Sequence, residues 1–294
     1  MQIKNCNILI LITVVAVLAA CSTGKLVTTS KTNAVTFENS EDYSQALNAW
    51  SQYFSQTPVE QTAGADFAHA AQTAFKAGNA DQAISWFDQA RYKNFADALM
   101  YETLAAIYQQ EDNLSKELSA LEFYTEKFGT ENTQVNTRLF NIYAEISENE
   151  KAVEYWNRLD EQALNNESNL VTYLQINKKL EKDAVCDSLA NVILKLNPDQ
   201  TEALDWNARK YYWAGQNRYD REMKKYEENK TRKQYNILLK ELDMVTADFK
   251  KALPYLEKIW KQHPGKEYAS YFANIYARFG DEKKTEYYKE FMKK

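Results

Sequence analysis

ADFAHAAQTAFKAGNADQAISWFDQARYKNF, residues 65–95, reads as two short amphipathic helices joined at a glycine. Phe67, Ala71, Gly78, Ala83, Phe87 and Ala90 fall at spacings of 4, 7, 5, 4 and 3. Each helix therefore has one apolar face, and the chain reverses near Gly78-Asn79. Small residues in the middle of the first helix and at the start of the second let the two backbones approach closely. The aromatic residue at the centre of the second helix fills the groove beside them.

The pattern returns 34 residues on, in DALMYETLAAIYQQEDNLSKELSALEFYTEKFG, with Tyr101, Leu104, Ala105, Tyr108, Leu121 and Tyr124 in the same register. NTRLFNIYAEISENEKAVEYWNRL follows with Leu139, Phe140, Tyr143, Ala152, Trp156 and Leu159. SNLVTYLQINKKLEKDAVCDSLANVILKLNPDQ closes with Pro198, where one unit stops and the next helix begins. Four consecutive units in one register are an internal repeat, and a repeat of this length implies stacked helix pairs that bury a continuous core. The composition agrees. Only seven glycines and four prolines punctuate 294 residues, and 45% of the residues are apolar, which excludes a turn-rich sandwich or barrel and fixes the class as all-α.

These residues resemble the tetratricopeptide repeat (TPR). The resemblance implies a right-handed superhelix of antiparallel helix pairs, a TPR-like α-solenoid, spanning residues 40–294. Both ends are less regular. EDYSQALNAWSQYFSQTP reads as a second helix, with Ala46, Trp50 and Tyr53 in place. Residues 27–39 are rich in Thr and lack helical periodicity, so the first repeat is expected to be half a unit or to pair with a frayed segment. YASYFANIYARFGDEKKTEYYKEFMKK supplies Phe272, Ala273, Tyr276 and Gly280 and then a charged closing helix that suits a solvated cap.

One unit is broken. TEALDWNARKYYWAG opens a first helix with Leu204, Ala208 and Tyr211, yet its second helix, KALPYLEKIWKQHPG, arrives about 32 residues late. The intervening stretch, about 217–250, carries its own periodicity. Tyr235, Leu238, Leu242, Val245, Phe249, Ala252, Leu256 and Ile259 alternate spacings of 3 and 4, and Tyr212, Tyr219, Met223 and Tyr226 run back into the first helix. The spacing predicts a helical hairpin that prolongs the repeat's own two helices, turns near Asn229–Thr231 and rises on the order of 20 Å at 1.5 Å per residue. Residues 204–264 look similar to an expanded repeat of lipoproteins from Bacteroidetes bacteria, with a charged insert before an F-K-K-A-L-P-Y-L-E-K helix.

The amino terminus is a targeting segment. ILILITVVAV, residues 8–17, is an unbroken apolar run followed by Leu18-Ala19-Ala20-Cys21. It is too short for the roughly 20 residues that a spanning helix needs. It resembles the bacterial lipoprotein signal, which implies removal of residues 1–20 and lipidation of Cys21. Residues 21–39 would then be a polar tether, and Ser22 after the cysteine favours the outer membrane, with the protein facing the periplasm. Of three cysteines, Cys6 leaves with the signal and Cys21 carries lipid, so Cys186 stands alone. On an amphipathic helix and far in sequence from His69 and His263, it reads as a packed thiol, and two distant histidines offer no metal site.

Function follows from surfaces. A net charge of -5, with acids and bases interspersed, excludes a nucleic-acid footprint. Ten Lys and Arg against seven Asp and Glu from 218 to 251 exclude a simple basic arm. Catalytic motifs such as G-x-S-x-G or H-E-x-x-H are missing from the sequence. The TPR resemblance implies a non-enzymatic scaffold or adaptor without cofactors, taking envelope proteins or peptides along its first helices. In the family register the groove-facing residues are Gln72, Phe75, Glu102, Gln109, Thr137, Asn141, Gln175, Lys178, Asp205, Arg209 and Tyr212. Asn141 stands at a position used by chaperone-tail clamps, but Thr137 replaces their lysine, so a carboxylate-clamp partner is not expected. A glycan or other ligand carrier and an envelope enzyme are the competing readings.

Overall fold

The computed structural model describes residues 29–293, and the expectations for the signal and for Cys21 lie outside the described residues. The chain divides after Val135 into two compact units. The first contains α1 (residues 29–39), α2 (Tyr43–Gln56), α3 (Gly64–Lys76), α4 (Ala80–Tyr92), α5 (Ala98–Gln110) and α6 (Leu114–Phe128). The second holds α7 (Thr133–Glu145), which begins just before the division, then α8 (Asn149–Trp156), the single turn α9 (Glu161–Leu164), α10 (Glu167–Lys179) and α11 (Asp183–Leu196). It continues with α12 (Thr201–Glu228), α13 (Arg232–Gln262), α14 (Lys266–Phe279) and α15 (Glu282–Lys293). No strand occurs among the described residues. Each unit is all-α and built of antiparallel helix pairs.

The first helices α3, α5, α7, α10 and α12 begin at Gly64, Ala98, Thr133, Glu167 and Thr201, steps of 34 or 35 residues. The turn inside each regular pair has a common construction. One residue adopts the left-handed conformation: Glu41, Gly78, Asp112, Ser147, Glu181 and Gly280, with φ between 52° and 78°. The next residue often caps the second helix. The side chains of Asp42, Asn79, Asn113 and Asp281 each accept a hydrogen bond from the backbone N–H three residues on. A left-handed residue followed by a cap reverses the chain in the fewest residues, which sets the tight hairpin spacing.

The expected core positions are filled. Phe67, Ala71, Ala83, Phe87 and Ala90 are buried in the first unit, and Leu139, Phe140, Tyr143 and Ala152 in the second. Cys186 is fully buried, its Sγ 4.0 Å from the Leu174 carbonyl oxygen. Burial, reinforced by Asp183, pushes its thiol up to about 11. Cys186 should therefore resist iodoacetamide at neutral pH in the folded protein and react only on denaturation. Alkylation of the native chain at the rate of a free thiol would contradict this packing.

The tether expected over residues 21–39 needs correction at its distal end. Residues 29–39 form α1, and its inward face is Ser30, Ala34 and Glu38. Glu38 accepts from Trp50 Nε1 at 2.7 Å, lies 2.8 Å from His69 Nε2 and also accepts from Thr73 Oγ1. Lys31 donates to Asp66 at 2.7 Å, and Tyr53 donates to the other oxygen of the same carboxylate at 2.9 Å. Burial and then this hydrogen bond raise the Tyr53 phenol to about 12. The first repeat is thus a complete pair, with a polar rather than apolar stripe tying its first helix to α2 and α3.

A helical hairpin prolongs the two helices of the broken repeat. α12 and α13 span 28 and 31 residues against 13 in α10, and the connection between them is residues 229–231. Leu238, Val245, Phe249, Ala252, Leu256 and Ile259 line the seam, with α14 adding Phe272 and Ile275 to the same core. Gly215 permits the closest approach, since a Cβ there would lie 2.9 Å from the Phe249 ring. Higher up, Arg218 donates to Glu241 at 2.8 Å and stands 3.6 Å from Asp248. Tyr235 departs from its expected place in the seam. It is 44% exposed, with its ring 5.8 Å from that of Tyr226.

Candidate interaction surface

The residues expected to face a partner divide by unit. In the first unit, Gln72 and Phe75 on α3 are half-buried, and Gln109 at the end of α5 is exposed. Glu102 is already engaged, accepting from Asn132 Nδ2 at 2.9 Å. In the second unit, Thr137 and Asn141 on α7 are half-buried, and the Asn141 amide returns to the Thr137 carbonyl at 3.0 Å. Gln175 on α10 is exposed. Lys178, Asp205, Arg209 and Tyr212 come together across α10, α12 and α14.

That convergence is a polar lattice. Lys178 donates to Glu202 at 3.2 Å and sits 4.0 Å from Asp205. Arg209 Nε reaches both Asp205 oxygens at 2.8 Å, its NH1 donates to Tyr271 Oη at 3.1 Å and its NH2 to Glu267 at 2.6 Å. Tyr268 donates to Asp205 at 3.1 Å, and Asn274 donates to Tyr212 Oη at 2.6 Å. Burial opposes the charge on Arg209, but the Asp205 and Glu267 carboxylates outweigh it and hold the guanidinium above its ordinary range. Burial, then Asp205, lifts Tyr268 to about 12. Asp205 and Tyr212, expected to face a partner, are buried. Their polar atoms bind neighbouring first helices together, because the register that aims a residue at the groove also aims it at the adjacent repeat.

Beside the lattice lies a feature that the sequence reading missed. α10 stops after 13 residues, whereas α12 continues upward into the projection. In the shoulder this leaves is an open cleft of about 460 Å³, lined by Lys178, Asp183, Asp187, Trp206, Lys210 and Trp213 among others. Trp206 Nε1 and Lys210 Nζ donate to the two oxygens of Asp187 at 3.0 and 2.6 Å. Burial of Asp187 disfavours its charge, but these two donors prevail and lower its carboxyl below the usual range. Trp213 is 47% exposed. The signal was the pair Trp206 and Trp213, seven residues apart on one helix, which repeat spacing alone assigns no role.

The cleft offers an aromatic face, hydrogen-bonding edges on which Asp187 and Lys210 are paired, and the exposed Asp183. Such a surface can stack and hydrogen-bond an uncharged or backbone-like group. In the first unit, His69 and Thr73 both face Glu38, so no imidazole rests on the threonine hydroxyl as a nucleophile–base pair requires. Among the described residues no group of three or more His, Cys, Asp and Glu side chains is placed to hold a metal ion, and no helix is long and apolar enough to cross a membrane.

No protein-family model and no curated protein matches the sequence. Solved structures similar to the chain include a Bacteroides ovatus protein, 19% identical over 74% of this chain and 99% of its own, with a TM-score of 0.47. YrrB, described as a TPR protein with an unusual peptide-binding site, is 12% identical over 60% of this chain and 89% of its own, with a TM-score of 0.48. The C-terminal part of a TPR repeat-containing protein from Cytophaga hutchinsonii is 12% identical over 88% of this chain and 92% of its own, also with a TM-score of 0.48. The likeness is one of helix-pair architecture.

Proposed function

We propose that the chain is a non-enzymatic scaffold of a bacterial cell envelope, anchored by lipid on Cys21 at the outer membrane and facing the periplasm, where it binds other envelope proteins or peptides. The half-exposed Trp213 in the shoulder cleft carries this reading for the binding surface. A large aromatic held open between fixed polar side chains is the kind of anchor around which protein interfaces concentrate their affinity. The apolar run of residues 8–17 ending at Leu18-Ala19-Ala20-Cys21 supports the anchor, and Ser22 supports the outer membrane.

Two measurements test it. Tagged protein pulled from detergent-solubilised membranes should retain a defined protein partner, and Trp213→Ala should lose it without loss of helical content. Equal recovery by Trp213→Ala would remove the cleft from the interface. Cys21→Ala should move the protein from the membrane to the soluble fraction, and retention in the membrane would sink the anchor. A second reading, a carrier of neutral glycans, draws on the tryptophan-lined cleft. It predicts a saturable rise in melting temperature with oligosaccharides, abolished by Trp213→Ala.

A further inference from the structure

The projection built by α12 and α13 buries the seam between its helices and little else. A two-helix hairpin has only one interface, so any further apolar residue on it faces water. Of thirteen large apolar side chains exposed among the described residues, four lie within ten positions of α13: Tyr235, Ile237, Leu239 and Met244, each 39–47% exposed. At 100° per residue they divide between two sides of the helix, Tyr235 and Leu239 on one and Ile237 and Met244 on the other. Tyr235, Leu239 and the half-buried Leu242 are spaced by 4 and 3, which makes a second stripe beside the inward one of Leu238 and Val245. Tyr226 of α12 joins it through the Tyr235 ring. Lower on α12, seven residues back on the same face, Tyr219 is covered by the Arg278 guanidinium of α14, 3.2 Å from the ring centroid. The stripe rises past that cover, since α14 ends at Phe279.

We propose that this stripe is a self-association surface, on which the projections of two copies lie antiparallel and close a four-helix bundle. The distribution of charge selects the occupant. From 223 to 240, the upper part of the projection, six Lys and Arg stand against two acids. From 217 to 222 and 241 to 250, the lower part, three bases stand against five acids; Glu222, Glu241 and Asp248 are paired within the projection by Arg221, Lys225 and Arg218, which leaves Asp220 and Asp243 exposed at its base. A two-fold interface requires a surface complementary to itself, and an antiparallel dyad sets each basic tip on the other copy's acidic base. A purely acidic partner or an anionic bilayer would match the tip but leave the lower carboxylates opposed to like charge. The surface is separate from the shoulder cleft, so the assembly and the partner proposed above stand or fall independently.

The test is the protein mass of the full chain in detergent, measured by light scattering across a concentration series. The wild type should reach twice the mass of one chain. Leu239→Asp should hold it at one, with its helical circular-dichroism spectrum unchanged because Leu239 lies outside the seam. Arg232→Glu with Lys233→Glu should also halve the mass, and adding Asp220→Lys and Asp243→Lys should restore it. A wild type that stays at the mass of one chain would overturn the proposal. So would a Leu239→Asp protein that keeps the doubled mass.

Discussion

Phe249→Ala is expected to lower the unfolding free energy by about 3–5 kcal/mol, the range for emptying a fully buried aromatic site. Phe249 is fully buried where the projection leaves the repeat, against Gly215, with the Tyr212 ring at 5.6 Å. The glycine opposite has no side chain to move into the void, so little of the loss can be recovered by relaxation. The core it leaves is shared by α12, α13 and α14, so the damage should spread beyond the hairpin. Leu239→Asp, ten residues up the same helix but 45% exposed, is the control and should stay within about 0.5 kcal/mol. Urea titration followed by far-ultraviolet circular dichroism compares them. A Phe249→Ala loss under about 1 kcal/mol would mean that α13 does not pack here as described.

Gly64→Ala should be the costliest small substitution in the first unit. A Cβ at Gly64 would lie 2.5 Å from the Cβ of Phe95, 3.0 Å from that of Lys93 and 3.3 Å from the Ala90 carbonyl oxygen. Cβ and backbone atoms cannot swing aside as a side-chain terminus can, so the start of α3 must separate from the turn after α4. Overpacking of this kind costs about 1–3 kcal/mol. Gly78→Ala isolates the other way in which a glycine matters. Gly78 has a φ of +78°, and a methyl group there would meet nothing within 4 Å, so its cost is conformational alone, about 1 kcal/mol. Denaturation midpoints for the pair separate the two effects. If Gly64→Ala is no worse than Gly78→Ala, the close approach at α3 is wrong.

The sequence revealed most where side-chain chemistry and geometry coincide. Ala71, Phe87 and Ala90 carry the repeat because a small residue at a helix crossing and an aromatic in the groove are packing requirements that few other residues meet. The turn at residues 229–231 followed from where two apolar stripes met. The turns of the regular pairs were only partly legible. Gly78 and Gly280 announce a left-handed residue, whereas Glu41, Ser147 and Glu181 adopt the same conformation without any compositional sign. α1 was missed because its inward face, Ser30, Ala34 and Glu38, recurs every fourth residue but holds two polar residues and a single alanine, and a search for apolar periodicity passes over it. At the candidate surface, sequence brought Lys178, Asp205, Arg209 and Tyr212 to the right helices. It could not tell that Asp205 and Tyr212 are consumed by Arg209, Tyr268 and Asn274, because those partners lie on elements up to 63 residues away.

The helix formed by residues 29–39 also limits where the chain can be cut. Its Glu38 holds Trp50, His69 and Thr73, and its Lys31 holds Asp66, so residues 29–39 belong to the first helix pair rather than to a spacer. Cutting the chain ahead of residue 40, harmless to a spacer, should strip these partners and lower the stability of the first unit.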